Sequence, residues 1–150
     1  MKTTDELIDQ LLDLAFAEDI GDGDHTTLST IPADAMGRSR LLVKEDGVIA
    51  GIEVARKVLH KVDPSIKVEQ MIADGAAVKK GDVAFIAEGP VRSLLVAERT
   101  MLNIMQRMSG VATMTRRYQD ELAGLHTRVL DTRKTTPGTV SYTHLRAHET

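Results

Sequence analysis

Arg133 and Lys134 stand side by side in the run Asp131–Gly138, "DTRKTTPG", directly after the short apolar stretch "RVL". A guanidinium offers carboxylate or phosphate a planar fork of donors, and an ammonium offers a compact point charge. With the hydroxyls of Thr132, Thr135 and Thr136 beside them, the two cations could hold a polyanion. Adjacent residues on a strand point to opposite faces. Both side chains therefore reach one ligand only where the strand has ended and the backbone turns, which Pro137–Gly138 permits. The plain alternative is a solvated strand end.

Three other runs carry candidate chemistry. In "AERTMLNIMQRMSG", Ala97 to Gly110, an apolar stripe of Met101, Leu102, Met105 and Met108 lies next to Arg99, Asn103 and Arg107 at four-residue steps. An ordinary amphipathic helix explains most of this. Arg99, set inside "LLVAERTML", still has to find an anion, a partner chain or solvent. In "GDGDHTT", Asp22, Asp24 and His25 suggest a metal, but the spacing lacks the glycine and terminal glutamate of a calcium loop. A loop whose Asp and Thr side chains bond backbone amides is the better reading, and no metal ligand is assigned. "DGAAVKKGDVAFIAEG" has the glycines and alternation of small β-rich carrier modules, yet Lys79 and Lys80 lack an attachment context.

The elements that must position these residues follow from periodicity. Thr3 and Glu6 have capping-box spacing, and Leu7, Ile8, Leu11, Leu12, Leu14 and Ala15 predict a helix over 4–17. "EDIGDGDHTT", Glu18 to Thr27, reads as a loop. A strand is expected over 39–45, a turn at Glu45–Gly47, and a helix from Ile52 to Val62 closed by Asp63–Pro64. Strands follow over 66–72 and 82–89, linked through Gly75 and Gly81. A helix over 94–108 is expected to break or kink at Ser109–Gly110, with a second reaching about Ala123 and a short strand over 127–131. The order implies an α/β (α+β) sandwich over 1–110.

Composition narrows the function classes. The 150 residues suffice for a domain with its own core. Aromatics are only 3%, which supplies a base-stacking nucleic-acid platform poorly, and a net charge of −3 gives no basic field. Absence of Cys removes disulfides, thiolate zinc ligands and a thiol nucleophile. The acidic start "MKTTDELIDQ" is not a secretory signal, and no stretch reaches the roughly 20 apolar residues of a membrane span. A cytoplasmic protein without nucleic-acid or membrane partners is expected.

Taken together and in order, "EDIGDGDHTT", "EDGVIAG", "DGAAVKKGD", "AERTMLNIMQRMSGVAT" and "LDTRKTTPG" resemble the quinolinate phosphoribosyltransferases, also called carboxylating nicotinate-nucleotide pyrophosphorylases. The resemblance spans about residues 5 to 138, and the last two runs are its specific part. It implies conversion of quinolinate and phosphoribosyl pyrophosphate, with Mg2+, to nicotinate mononucleotide, pyrophosphate and CO2 in NAD biosynthesis. It also implies that residues 111–138 begin an α/β barrel, with "TRVLD" as the first strand. Thr132, Arg133 and Lys134 would bind substrate at that strand's C-terminal end, Lys134 as the catalytic residue, where barrels place their sites. Arg99 resembles the family arginine that reaches a neighbouring subunit's site, so a homodimer or an oligomer of dimers is implied. Residues 139–150 do not match, and the chain is expected to be an inactive N-terminal fragment. Two alternatives stay open: a molybdenum-transport-linked paralogue, and a non-enzymatic carrier-like or ligand-binding module.

Overall fold

A computed structural model describes residues 3–130. Helix α1, Thr4–Ile20, starts from the expected capping box. The Thr3 hydroxyl accepts from the Glu6 amide at 3.2 Å, and the Glu6 carboxylate accepts from the Thr3 amide at 2.6 Å. Ile8 and Leu12 bury its inner face. The helix runs three residues past the expected end, to Ile20, with Gly21 as its C-cap. The expected loop over 18–27 shrinks accordingly, because Asp24 caps a short helix α2, His25–Thr30, through the Thr27 amide. The acidic and hydroxyl side chains do bond local amides, as read from the sequence, but as a helix cap.

Strand β1, Met36–Leu42, lies three residues earlier than expected. Its register is set by β5, Val83–Pro90, with Met36 opposite Pro90 and Leu41 opposite Phe85. β3, Lys67–Gln70, pairs antiparallel with the other edge of β5, giving the order β1-β5-β3. A separate two-stranded ribbon joins β2, Gly47–Val48, to β4, Ala77–Val78. Helix α3, Ile52–Val62, buries Ile52, Val54, Ala55, Val58 and Leu59. Its first amides are capped from a distance by the Asp74 carboxylate, at 2.8 Å to Ile52 and 3.2 Å to Glu53. The residue at its own cap position is Gly51, at φ +100, a conformation that favours glycine.

Helix α4, Val91–Glu121, is continuous through Ser109–Gly110, which corrects the expected break. At 31 residues it is about 46 Å long. Ser109 turns its hydroxyl outward to the backbone of Ala50, at 3.0 Å from the amide and 3.2 Å from the carbonyl. Four residues on, the Thr113 hydroxyl accepts from the Val48 amide at 2.9 Å. Four helical residues rise about 6 Å and two strand residues about 6.7 Å, so the two periods coincide here. Packing and these bonds outweigh the roughly 1 kcal/mol that a mid-helix glycine costs. Gly47 is held so close that an added Cβ would lie 2.5 Å from Thr113 Oγ1.

α3 and α4 form the helical layer, and α4 also touches β1, β2 and β5. Phe85 on the central strand, 2% exposed, is the largest fully buried side chain in the shared core. The mixed helix-and-sheet class is the one expected. Thr127–Leu130 form no strand, contrary to expectation. A strand exists only as a paired element, and no described segment pairs with these residues.

Candidate functional site

The described surface has one position where an expected site residue meets a designed-looking environment, and it is Arg99. Ala97, Thr100 and Met101 around it are buried in the core, which fixes the helix face and turns Arg99 outward. Its side chain is 72% exposed, and Nη1 donates to Asp19 Oδ1 at 2.7 Å. Asp19 is the sheltered member of the pair, at 22% exposed, in the last turn of α1. Asp24, beyond the Gly21–Gly23 turn, also lies within the field of Arg99. Its carboxyl is held below the ordinary range mainly by the Thr27 hydroxyl and amide, with smaller contributions from Arg99 and His25.

Thr132, Arg133 and Lys134 lie outside the described residues. Among the described residues, then, Arg99 is the one member of the expected binding set that is on view, and its neighbours are acidic. Asn103 and Arg107 are exposed further along α4, and Arg107 makes no ion pair among the described residues. His25 pairs with Asp22 at 3.2 Å, both largely exposed, so the "GDGDHTT" run is tied up locally. No three His, Cys, Asp or Glu side chains group to hold a metal ion among the described residues. No metal ligand is assigned among them, and no step is routed through a metal ion. Lys79 and Lys80 join β4 to β5, which belong to different sheets, and their amides donate to Asp82 and Asp46. They are not at the tip of a hairpin, as a carrier would require.

A concavity of about 540 Å³ separates the 44–47 turn from the C-terminal half of α4. Val43, Leu102 and Met105 line its apolar part, and Lys44 and Arg117 its rim. Sequence reasoning missed this groove, and it also missed Asp19. A signal for Asp19 existed: acidic residues are disfavoured at a helix C-terminus by the macrodipole, so Glu18–Asp19 there calls for a cation from elsewhere.

The profile of the quinolinate phosphoribosyl transferase N-terminal domain matches residues 24–109. The chain therefore belongs to the quinolinate phosphoribosyltransferase family, and this stretch is its N-terminal domain. Among similar proteins, a chloroplastic carboxylating nicotinate-nucleotide pyrophosphorylase of Oryza sativa is 47% identical over 129 residues, 85% of this chain and 34% of its own. A quinolinate phosphoribosyltransferase of Nicotiana tabacum is 46% identical over 129 residues, again 85% of this chain, and 36% of its own. The crystal structure of NadC from Streptococcus pyogenes superposes with a TM-score of 0.92 at 32% identity, over 99% of this chain and 53% of that one. The chain thus spans about a third of the length of these curated relatives.

Proposed function

We propose that this chain supplies the N-terminal part of an enzyme that transfers a phosphoribosyl group from phosphoribosyl pyrophosphate to quinolinate. The products are nicotinate mononucleotide, pyrophosphate and CO2, a step of NAD biosynthesis. The observation that carries the proposal is Arg99: a cationic side chain 72% exposed on a helix whose opposite face is core, within the stretch that matches the family. Both substrates are polyanions, and charge builds on the departing pyrophosphate. Fixed cations facing that charge stabilise the transition state more than water does, because they need not reorganise. On this reading Arg99 is presented to the site of a neighbouring subunit in a dimer. Thr132, Arg133 and Lys134 serve the site of their own subunit, with Lys134 nearest the chemistry. Mg2+ accompanying phosphoribosyl pyrophosphate would supply further charge neutralisation when bound.

The names of the relatives favour the quinolinate reaction over the molybdenum-transport paralogue, and the placement of Lys79 and Lys80 counts against a carrier. No helix among the described residues is long and apolar enough to cross a membrane. A cytoplasmic location remains part of the proposal, and some plant relatives are named as chloroplastic or mitochondrial.

The test uses a full-length chain carrying this sequence, assayed for nicotinate mononucleotide. Arg133→Ala and Lys134→Ala are each expected to lower turnover about a hundredfold or more, the scale for losing one preorganised charge contact. Unchanged kinetics in either variant would remove that residue from the site.

A further inference from the structure

We infer that Asp19 is a positioning residue for substrate binding: it fixes the Arg99 guanidinium so that its remaining donors face a dianionic ligand. The inference deepens the reading of Arg99 as a substrate contact and rests on it.

Three observations carry it. First, the two partners are unequally exposed, Asp19 at 22% and Arg99 at 72%. The carboxylate is the anchored member and the guanidinium the presented one. Second, the contact uses a single nitrogen. Nη1 donates to Asp19 Oδ1 at 2.7 Å, and this is the one hydrogen bond Arg99 makes among the described residues. Nη2 and Nε therefore remain for a second anion, and a guanidinium bound on one edge can still present a two-donor edge to a carboxylate. Third, Asp19 is locally misplaced. It stands in the last turn of α1, which contains no basic residue, where the helix field opposes a negative charge. Its compensation comes from 80 residues away in sequence.

A free Arg side chain samples many rotamers, and holding it in place before the ligand arrives removes that loss of freedom from the binding step. Asp24 adds a second negative field without a hydrogen bond to Arg99, its oxygens being taken up by Thr27. Asp19 is thus the member of this acidic pair that sets orientation. A tether joining α1 to α4 would use the same contact, so the test must separate tethering from positioning.

The test is a double-mutant cycle in full-length chains carrying this sequence, read as the dissociation constant of quinolinate by calorimetry and as kcat separately. Asp19→Ala is expected to weaken quinolinate binding about tenfold with little change in kcat, the scale of one charge-assisted contact. Asp19→Glu should recover most of that loss. In the Arg99→Ala background, Asp19→Ala should weaken binding no further. Equal weakening in both backgrounds would mean that Asp19 acts through the global field and not through Arg99, and a clearly lowered unfolding midpoint in Asp19→Ala would mark the contact as a tether; either result would overturn the inference. So would unchanged binding in Asp19→Ala while Arg99→Ala binds weakly. Unchanged binding in Arg99→Ala itself would reject Arg99 as a substrate contact, and the inference with it; that single variant identifies which of the two readings has failed.

Discussion

The two halves of α4 use polar side chains in opposite ways. In the C-terminal half, Ser109 and Thr113 face the β2 segment and close onto the amides of Ala50 and Val48. Each hydroxyl is absorbed by backbone that has no strand on that side, so the helix acts as the missing neighbour of the ribbon. In the N-terminal half, Arg99 faces outward, bonded on one nitrogen to Asp19 and otherwise presented to solvent. Polar groups satisfied by the fold's own backbone hold the structure. A charge that is anchored but left open is available to a ligand. The same helix is a girder at one end and a presenting arm at the other.

The sharpest way to break the comparison is to substitute each half and read both stability and turnover. Arg99→Ala in a full-length chain is expected to cost on the order of 3 kcal/mol in transition-state stabilisation. Its unfolding free energy should stay within about 0.5 kcal/mol of the parent, as for other exposed pairs. A variant that unfolds early and loses activity in proportion would make Arg99 structural.

Thr113→Val tests the other half. It keeps the side-chain shape and leaves the Val48 amide, on a residue 8% exposed, without its acceptor. The expected cost is about 1–3 kcal/mol in urea unfolding, with quinolinate affinity unchanged per folded molecule. An unshifted midpoint would show that the hydroxyl bond is not what holds β2 to α4.

The smallest effect concerns the loop between α1 and α2. The folded Asp24 carboxyl titrates below its ordinary value of 3.8, chiefly because of Thr27. The sign follows directly: the unfolded chain takes up the proton first as pH falls. The contribution is therefore complete above the ordinary value and fades as pH falls through the lower folded value. Asp24→Asn keeps a capping acceptor but cannot titrate. Chemical unfolding between about pH 5 and pH 2 should lose slightly less stability in the variant than in the parent. Identical slopes would remove Asp24 as a contributor.

Much of this was legible in local sequence. The capping box at Thr3 and Glu6, the stripe of α3 and the stop at Asp63–Pro64 are short-range signals, and the elements start or end where those signals stand. The misses share a different cause. The register of β1 depends on β5, nearly fifty residues away, as Ser39 opposite Ala87 illustrates. Continuity through Ser109–Gly110 depends on Ala50, because a serine that bonds distant backbone no longer competes with its own helix. For the site, Arg99 could be singled out as a charge inside an apolar run, but Asp19 became visible only when folding brought the end of α1 to α4. Thr132, Arg133 and Lys134 remain sequence readings, since they lie outside the described residues.

The central claim is that the presenting end of α4 serves a neighbouring subunit, and subunit mixing tests it most directly. Full-length Arg99→Ala chains and Lys134→Ala chains, each nearly inactive alone, are unfolded, mixed in equal amounts and refolded together. In a mixed dimer one site carries both lesions and the other carries none. Random pairing should therefore restore about a quarter of the parent activity. Mixed dimers that form, as shown by mass spectrometry, yet recover no activity would contradict the account.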